Sequence, residues 1–321
     1  MTTPLAAQRD TVAAVLGRRL GARVTLTPLS AGASRVTSLV NTDTGDQTET
    51  FVLQRERAGT AIGTTPVADQ VRLFEAVAAS GVPVPRVVAW SGTEDPLGVP
   101  YVLSEFVAGQ TLPQRILRDP DLAGARDGFA ADCGAILARL HATPTGGLSF
   151  LDTPDQLENT VALIDALGEP HPAFELAIAW LRANRPAPVA PRLVHGDFRN
   201  GNLIVGPDGV RAVLDWELSH LGDPAEDLAW MCLKAWRFRG PGEVGGLGDR
   251  ADLLGAYERH GGTPVDPERI FWWQVLGTLR WGSICQVQAR THLDGHSRSV
   301  ELAAIGRRVC ETEYDLLRML P

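Results

Sequence analysis

Asp197, Asn202 and Asp215 are the residues of this 321-residue chain whose types and spacing fit one piece of chemistry. They stand in His195-Gly196-Asp197-Phe198-Arg199-Asn200-Gly201-Asn202, followed by Leu203-Ile204-Val205, a Gly206-Pro207-Asp208-Gly209 turn, and Val210-Arg211-Ala212-Val213-Leu214-Asp215-Trp216-Glu217. Two short apolar runs about a turn rich in Gly, Pro and Asp read as a β-hairpin. Asn202 opens its first strand and Asp215 closes its second, so the two stand side by side, with Asp197 on the loop just before. Two carboxylates and a carboxamide in one small space form an oxygen-rich set. Such a set suits Mg2+ beside phosphate, not zinc. Each residue alone also reads as a turn former; the joint pattern carries the chemistry.

The spacing His-x-Asp-x-x-x-x-Asn, with a later Asp closing an apolar strand, fits the template for phosphoryl transfer. In that template Asp197 accepts the proton of an attacking hydroxyl, and Asn202 and Asp215 hold Mg2+ against the phosphates. His195 reads as a brace for the loop, not a proton carrier. Glu217, two residues past Asp215 and so on the same strand face, fits either a role at the metal or substrate or a plain surface acid. Asp223 before Pro224 is a helix start signal.

The formal charge is −8, from 30 basic and 38 acidic side chains. No basic patch has the density that nucleic acid demands, so no nucleic-acid partner is expected. The start, Met1-Thr2-Thr3-Pro4-Leu5-Ala6, has neither a basic flank nor a long apolar run. Neither a signal peptide nor a membrane span is expected. Cys133, Cys232, Cys285 and Cys310 are widely spaced and read as reduced residues of a cytoplasmic protein. Lys234 is the single lysine. A Walker-type loop, which needs a lysine, is therefore excluded, and any lasting positive charge in the amino-terminal half is an arginine.

These groups need elements to position them. Periodicity predicts a helix over residues 8–20 with Val12, Val15, Leu16 and Leu20 on one stripe, then strands over 23–29, 35–41 and 48–54. A helix over 67–79 and strands over 86–90 and 101–107 follow. Beyond Gly109 the chain reads as helical, with an amphipathic helix over 126–141 that places Phe129, Cys133, Ile136, Leu137 and Leu140 on one side. Further helices are predicted over 155–167, 173–184, 225–237, 250–260, 267–290 and 297–319. The glycine-rich stretch 239–248 follows a helix, so it fails the dinucleotide-binding context and reads as a mobile connector or a substrate lid. Trp272, Trp273, Arg280 and Trp281 read mainly as core, with substrate lining as the alternative.

The segment 193–237 resembles the aminoglycoside phosphotransferase and choline kinase superfamily, relatives of the protein kinases. The resemblance rests on His195-Gly196-Asp197, Asn202, Asp215 and Leu221-Gly222-Asp223-Pro224-Ala225-Glu226-Asp227-Leu228-Ala229. Its wording is most similar to kinase-like domains fused to acyl-CoA dehydrogenases. The resemblance implies an α+β, two-lobed protein-kinase-like fold. A small nucleotide-binding lobe, residues 1–107, would hold an antiparallel sheet and one main helix. A mostly helical catalytic and substrate lobe would span 108–321. It implies ATP and Mg2+ as cofactors and a small hydroxylated molecule as phosphate acceptor. Asp227 would tie its helix back to the catalytic loop.

By the same resemblance the turn 30–35, with Ser34, would cover the nucleotide phosphates, and the backbone of Glu105 and Val107 would meet the adenine edge. The third strand would carry the phosphate cation at Gln54 or Arg55, a one-residue choice that swaps strand faces. Arg55 is expected because the task needs a cation, and it would offer a planar fork instead of a point charge. Its usual acidic partner falls at Gln70, with Glu75 on a different helix face. Three readings follow: a kinase of a neutral or anionic metabolite, with a hydroxyacyl compound as the type the resemblance suggests; an aminoglycoside or other antibiotic kinase; and a nucleotide-binding pseudokinase scaffold.

Overall fold

The computed structural model describes residues 5–31, 35–56, 65–94 and 96–321. Helix α1 (Leu5–Leu20) lies against a sheet of β1 (Arg23–Ala31), β2 (Arg35–Asp43), β3 (Thr48–Glu56), β4 (Val87–Ser91) and β5 (Tyr101–Glu105). The strand order is β1-β2-β3-β5-β4, antiparallel throughout. Side chains alternate between the two faces, as the pleat requires. Val40, Phe51, Leu53, Tyr101 and Leu103 bury one face against Val12 and Leu16 of α1. Thr37, Val52, Gln54, Val102 and Ser104 line a cleft on the other face. Helix α2 (Val67–Ala79) closes part of that face through Val67 and Val71, packed on Val102.

After the short α3 (Pro113–Ile116), helix α4 (Ala123–His141) forms the spine of the larger part. Its expected stripe, Phe129, Cys133, Ile136, Leu137 and Leu140, is fully buried. Helices α5 (Gln156–Leu167) and α6 (Pro172–Ala183) lead to β6 (Arg192–Val194), the hairpin β7 (Leu203–Gly206) and β8 (Gly209–Val213), and β9 (His220–Gly222). Then come α7 (Ala225–Met231), a 3-10 turn at Lys234–Trp236, α8 (Arg250–Arg259), α9 (Pro267–Leu293), α10 (Val300–Gly306) and α11 (Val309–Met319). Helix α8 crosses α4 at Gly134, where a Cβ would stand 2.2 Å from the Leu253 carbonyl oxygen. A second core joins α5, α6, α9 and α11 through Leu157, Phe174, Leu181, Leu279 and Leu316. The fold is thus α+β and two-lobed.

Three elements differ from the sequence reading. The helix expected over 225–237 ends at Met231 and resumes as the 3-10 turn. The helix expected over 297–319 is two helices, with the first ending at Gly306, a weak helix former. Stretch 239–248 is packed, not loose: Val244 N–H donates to the Gly248 carbonyl at 2.9 Å and Gly245 N–H to the Met231 carbonyl at 3.3 Å. Glycines allow that close folding, since a Cβ on Gly240 would meet the Gly246 oxygen at 2.2 Å. Among the described residues, no helix is long and apolar enough to cross a membrane.

Candidate active site

Strand β6 delivers the chain to the loop His195–Asn202. The carboxylate of Asp227, fully buried on α7, accepts the His195 N–H at 2.7 Å and the Gly196 N–H at 2.9 Å. His141 meets Asp227 Oδ2 at 3.2 Å and is itself held by Tyr257 at 2.9 Å. Burial alone pushes the Asp227 carboxyl up, but the His141 hydrogen bond, neighbouring charge and the His195 N–H outweigh it and leave it below its ordinary value. Asp227 therefore stays ionised and clamps two successive peptide N–H groups. Gly196 has φ 77°, and a Cβ there would lie 2.5 Å from the Leu218 oxygen, so only glycine passes.

His195 is 0% exposed. Its Nε2 lies 2.9 Å from the Leu214 carbonyl oxygen, and its Nδ1 accepts the Asp197 N–H at 3.2 Å. A carbonyl accepts only, so the Nε2 carries the proton and the ring is neutral. Burial also holds its pKa below the ordinary value. Both nitrogens are committed to the backbone. His195 is a brace.

Asp197 collects three side chains. Trp230 Nε1 donates to Oδ1 at 2.8 Å, Asn202 Nδ2 to Oδ2 at 2.7 Å, and Arg199 Nε to both oxygens at 3.0 and 3.2 Å. Arg199 also lies over the Trp236 ring, 4.7 Å from its centroid. Trp236 in turn packs edge-on against Trp281 at 4.6 Å. An aromatic wall of Trp230, Trp236 and Trp281 therefore stands beside Asp197. Trp272, by contrast, is buried in the second core. Trp273 bonds Asp223, whose other oxygen accepts the Ala225 N–H at the start of α7.

Asn202 donates from Nδ2 to the Asp197 carbonyl as well, at 3.0 Å. Two acceptors on the nitrogen fix the amide orientation and leave Oδ1 for a cation. The Leu214 N–H donates to the Asn202 carbonyl at 2.8 Å, which sets Asp215 beside Asn202. Asp215 has φ 65°, the left-handed region that a non-glycine residue enters at a cost of about 1 kcal/mol. Its side chain opens on the cleft, yet loss of surrounding water, then the charges of Glu217 and Asp197, push its carboxyl up to about 6. Strand β8 ends at Val213, so Glu217 reaches the cleft through a turn and not through strand alternation. Among the described residues, no three His, Cys, Asp or Glu side chains form a metal cage. Asn202 and Asp215 fit Mg2+, which takes one or two protein oxygens and completes its shell with water and phosphate.

The cleft between sheet and helical part has a volume of about 840 Å3. Gln54, Gln70, Glu105, Val107, Asn202 and Asp215 all line it. Ser34 lies outside the described residues. Arg55 does not line the cleft: it pairs with Val36 and Tyr101 on the face toward α1, and Gln54 takes the inward place. Strand parity decides this, and the expected phosphate cation at Arg55 is corrected accordingly. Gln70 is buried, donating to the Thr65 carbonyl at 2.5 Å, while Glu75 is exposed. Neutral amides, Gln54 and Gln70, thus stand in the cleft at the two places considered for the cation and its acidic partner.

Among the described residues Arg35, at the start of β2, is the cation that lines the cleft, and its charge partly offsets the upward shift of Asp215. Its signal was present in the sequence as the residue ending the turn 30–35. Trp230 and Trp236 carried no such signal, because nothing local distinguishes a tryptophan that bonds a distant carboxylate from a core one. At the other end of the cleft, the N–H and C=O of Val107 make no hydrogen bond among the described residues.

Residues 25–263 match the pattern of the phosphotransferase enzyme family. Acyl-CoA dehydrogenase family member 10 of Mus musculus is 35% identical over 199 residues, covering 57% of this chain and 18% of that protein. The chain thus spans less than a fifth of that relative's length. A crystal structure from Ralstonia eutropha JMP134, provisionally named an aminoglycoside phosphotransferase, has a TM-score of 0.76 at 24% identity, covering 97% of this chain and 98% of its own. Spectinomycin phosphotransferase, crystallised with ADP and spectinomycin, has a TM-score of 0.71 at 12% identity over 99% of this chain and 100% of its own. At these identities the structures share the fold. Because the matched pattern runs through the sheet, the Asp197 loop and the Asp215 hairpin, the chain belongs to the phosphotransferase enzyme family.

Proposed function

We propose that this phosphotransferase moves the γ-phosphoryl group of ATP, with Mg2+, to a hydroxyl of a small metabolite in the cytoplasm. The observation that carries the reading is Asn202, whose amide nitrogen holds Asp197 through two hydrogen bonds and leaves its oxygen for a cation. The nucleotide lobe ends at Val107, where the unpaired N–H and C=O suit the adenine edge. Crystallisation of spectinomycin phosphotransferase with ADP supports an adenine nucleotide. Mg2+, when bound, neutralises phosphate charge beside Asn202 and Asp215.

Asp197 orients the acceptor hydroxyl and takes its proton as the acceptor oxygen bonds to phosphorus and ADP leaves. A carboxylate offers about four acceptor directions, and Arg199, Trp230 and Asn202 fill those of Asp197. Access for the hydroxyl requires Arg199 to release the base and turn to the phosphates. Arg35 supplies the second phosphate cation. A neutral or anionic acceptor, hydroxyacyl in type, is favoured over a polycationic aminoglycoside. Arg280, stacked on Trp230 at 5.2 Å, and Arg199 both border the aromatic wall.

The test is thermal stability with ATP and Mg2+ together and apart. A ligand at about 100 times its Kd adds roughly 2.7 kcal/mol of stability. Asp215→Asn should remove the Mg2+-dependent part. No stabilisation by millimolar nucleotide would defeat the reading.

A further inference from the structure

A second cavity, of about 450 Å3, lies among α8, α9, α11 and the segment after α7. Its size falls within the range of small-molecule pockets, about 300–1,000 Å3. It shares no lining residue with the nucleotide cleft. The segment between them separates the two: Trp230 bonds Asp197 and Trp236 stacks on Arg199, while Cys232, Leu233, Lys234 and Arg237 wall the cavity.

The cavity is basic in a protein of net charge −8. Lys234, Arg237, Arg250 and Arg318 line it, against Asp315 as the single lining carboxylate. Asp315 is taken by Lys234, and Arg250 is paired with Glu243. Arg237 and Arg318 have no carboxylate partner among the described residues. The Nε atoms of Arg237 and Arg250 are buried without an acceptor. Gln274 is only 7% exposed and lines the cavity, yet its carboxamide makes no hydrogen bond among the described residues. Two buried guanidinium N–H groups without partners are costly, and the Gln274 carboxamide adds an open donor and acceptor to the cavity wall. Phe271, Leu233 and Met319 give the same cavity an apolar wall.

We propose that this cavity binds a small amphipathic anion: a carboxylate or phosphate monoester head met by Arg237, Arg250, Arg318 and Gln274, with a short apolar stem along Phe271, Leu233 and Met319. An anionic head suits the arginine side chains that line the cavity, and charge-assisted bonds to arginine are the strong ones. The apolar wall makes a neutral alcohol of the same stem the discriminating control. This proposal stands apart from the nucleotide reading, since the two sites share no residue.

The experiment is calorimetric titration of the full chain with octanoate, octyl phosphate and octanol, repeated in saturating ADP with Mg2+. Octanoate or octyl phosphate should bind and octanol should not; whichever binds tighter identifies the head group. Arg318→Glu, a change at an exposed position, should weaken binding by about tenfold or more. Gln274→Leu, of similar volume, should weaken it as well, and ADP should leave it unchanged. Equal binding of octanol, no binding of either anion, loss of binding with ADP, or full affinity in both variants would overturn the proposal.

Discussion

The ring of His195 joins the two halves of the site: Nε2 donates to the Leu214 carbonyl at 2.9 Å, one residue before Asp215, while Nδ1 receives the N–H of Asp197. One buried imidazole therefore sets the base and the metal carboxylate in a common frame. His195→Ala would strand a carbonyl and an N–H and open a cavity. The expected loss is about 3 kcal/mol of folding stability, measured by denaturant unfolding, with Mg2+ affinity weakened more than affinity for free ATP.

Arg35, not Arg55, is expected to be the phosphate cation that the sheet supplies. Arg35→Ala should weaken ATP binding about tenfold, roughly 1.4 kcal/mol, by loss of a charge-assisted contact. Arg55→Ala, altered on the α1 face, should leave ATP affinity within twofold or so. Titration of both variants with ATP decides between them. A loss confined to Arg55→Ala would contradict the strand placement.

Arg199 is expected to act in turnover and not in folding alone. Arg199→Ala should lower kcat by at least about tenfold while KM for ATP changes less, because the cation is needed when charge shifts at the phosphoryl group. Arg199→Lys should recover part of the rate, since a point charge replaces a planar fork. Steady-state kinetics with saturating ATP separates the two effects. Equal kcat in all three proteins would remove Arg199 from the mechanism.

His220 gives a pH signature away from the metal ligands. Its Nε2 meets Glu226 Oε2 at 3.1 Å, and Arg280 holds the other Glu226 oxygen at 2.8 Å. Burial lowers the His220 pKa, but the Glu226 hydrogen bond and charge outweigh it and leave it raised above 6.5. A raised histidine contributes stability that is fully present below the unfolded value and lost as pH rises through the folded one. Unfolding free energy should therefore fall as pH rises above 6.5, and His220→Gln should flatten that slope. An unchanged slope in the variant would assign the pH dependence elsewhere.

Much of the site was legible because its parts are local. The hairpin follows from two apolar runs and one turn, and it alone brings Asn202 to Asp215. The stripe on α4 and the three-strand opening are periodic over enough residues to stand out. What was not legible depends on distant partners. Arg55 faces α1 because β3 pairs in one register and not the next, a choice made by Leu53 packing under Val40 and Leu103. The hydrogen bond from Trp230 to Asp197 spans 33 residues, and no local pattern encodes it. The stretch 239–248 read as loose because glycines suit a mobile loop and a tightly folded one equally.

Asp197 is expected to serve phosphoryl transfer to a small-molecule hydroxyl. The most direct measurement incubates the protein with ATP, Mg2+ and a panel of hydroxylated metabolites and aminoglycosides, and follows each acceptor by mass for gain of one phosphoryl group. Wild type is expected to phosphorylate a neutral or anionic hydroxylated acceptor, and Asp197→Asn to bind nucleotide as tightly while turning over at least about 10²-fold more slowly. Transfer at the same rate by wild type and Asp197→Asn, or nucleotide binding with no transfer to any acceptor, would contradict the claim and leave a nucleotide-binding scaffold in its place.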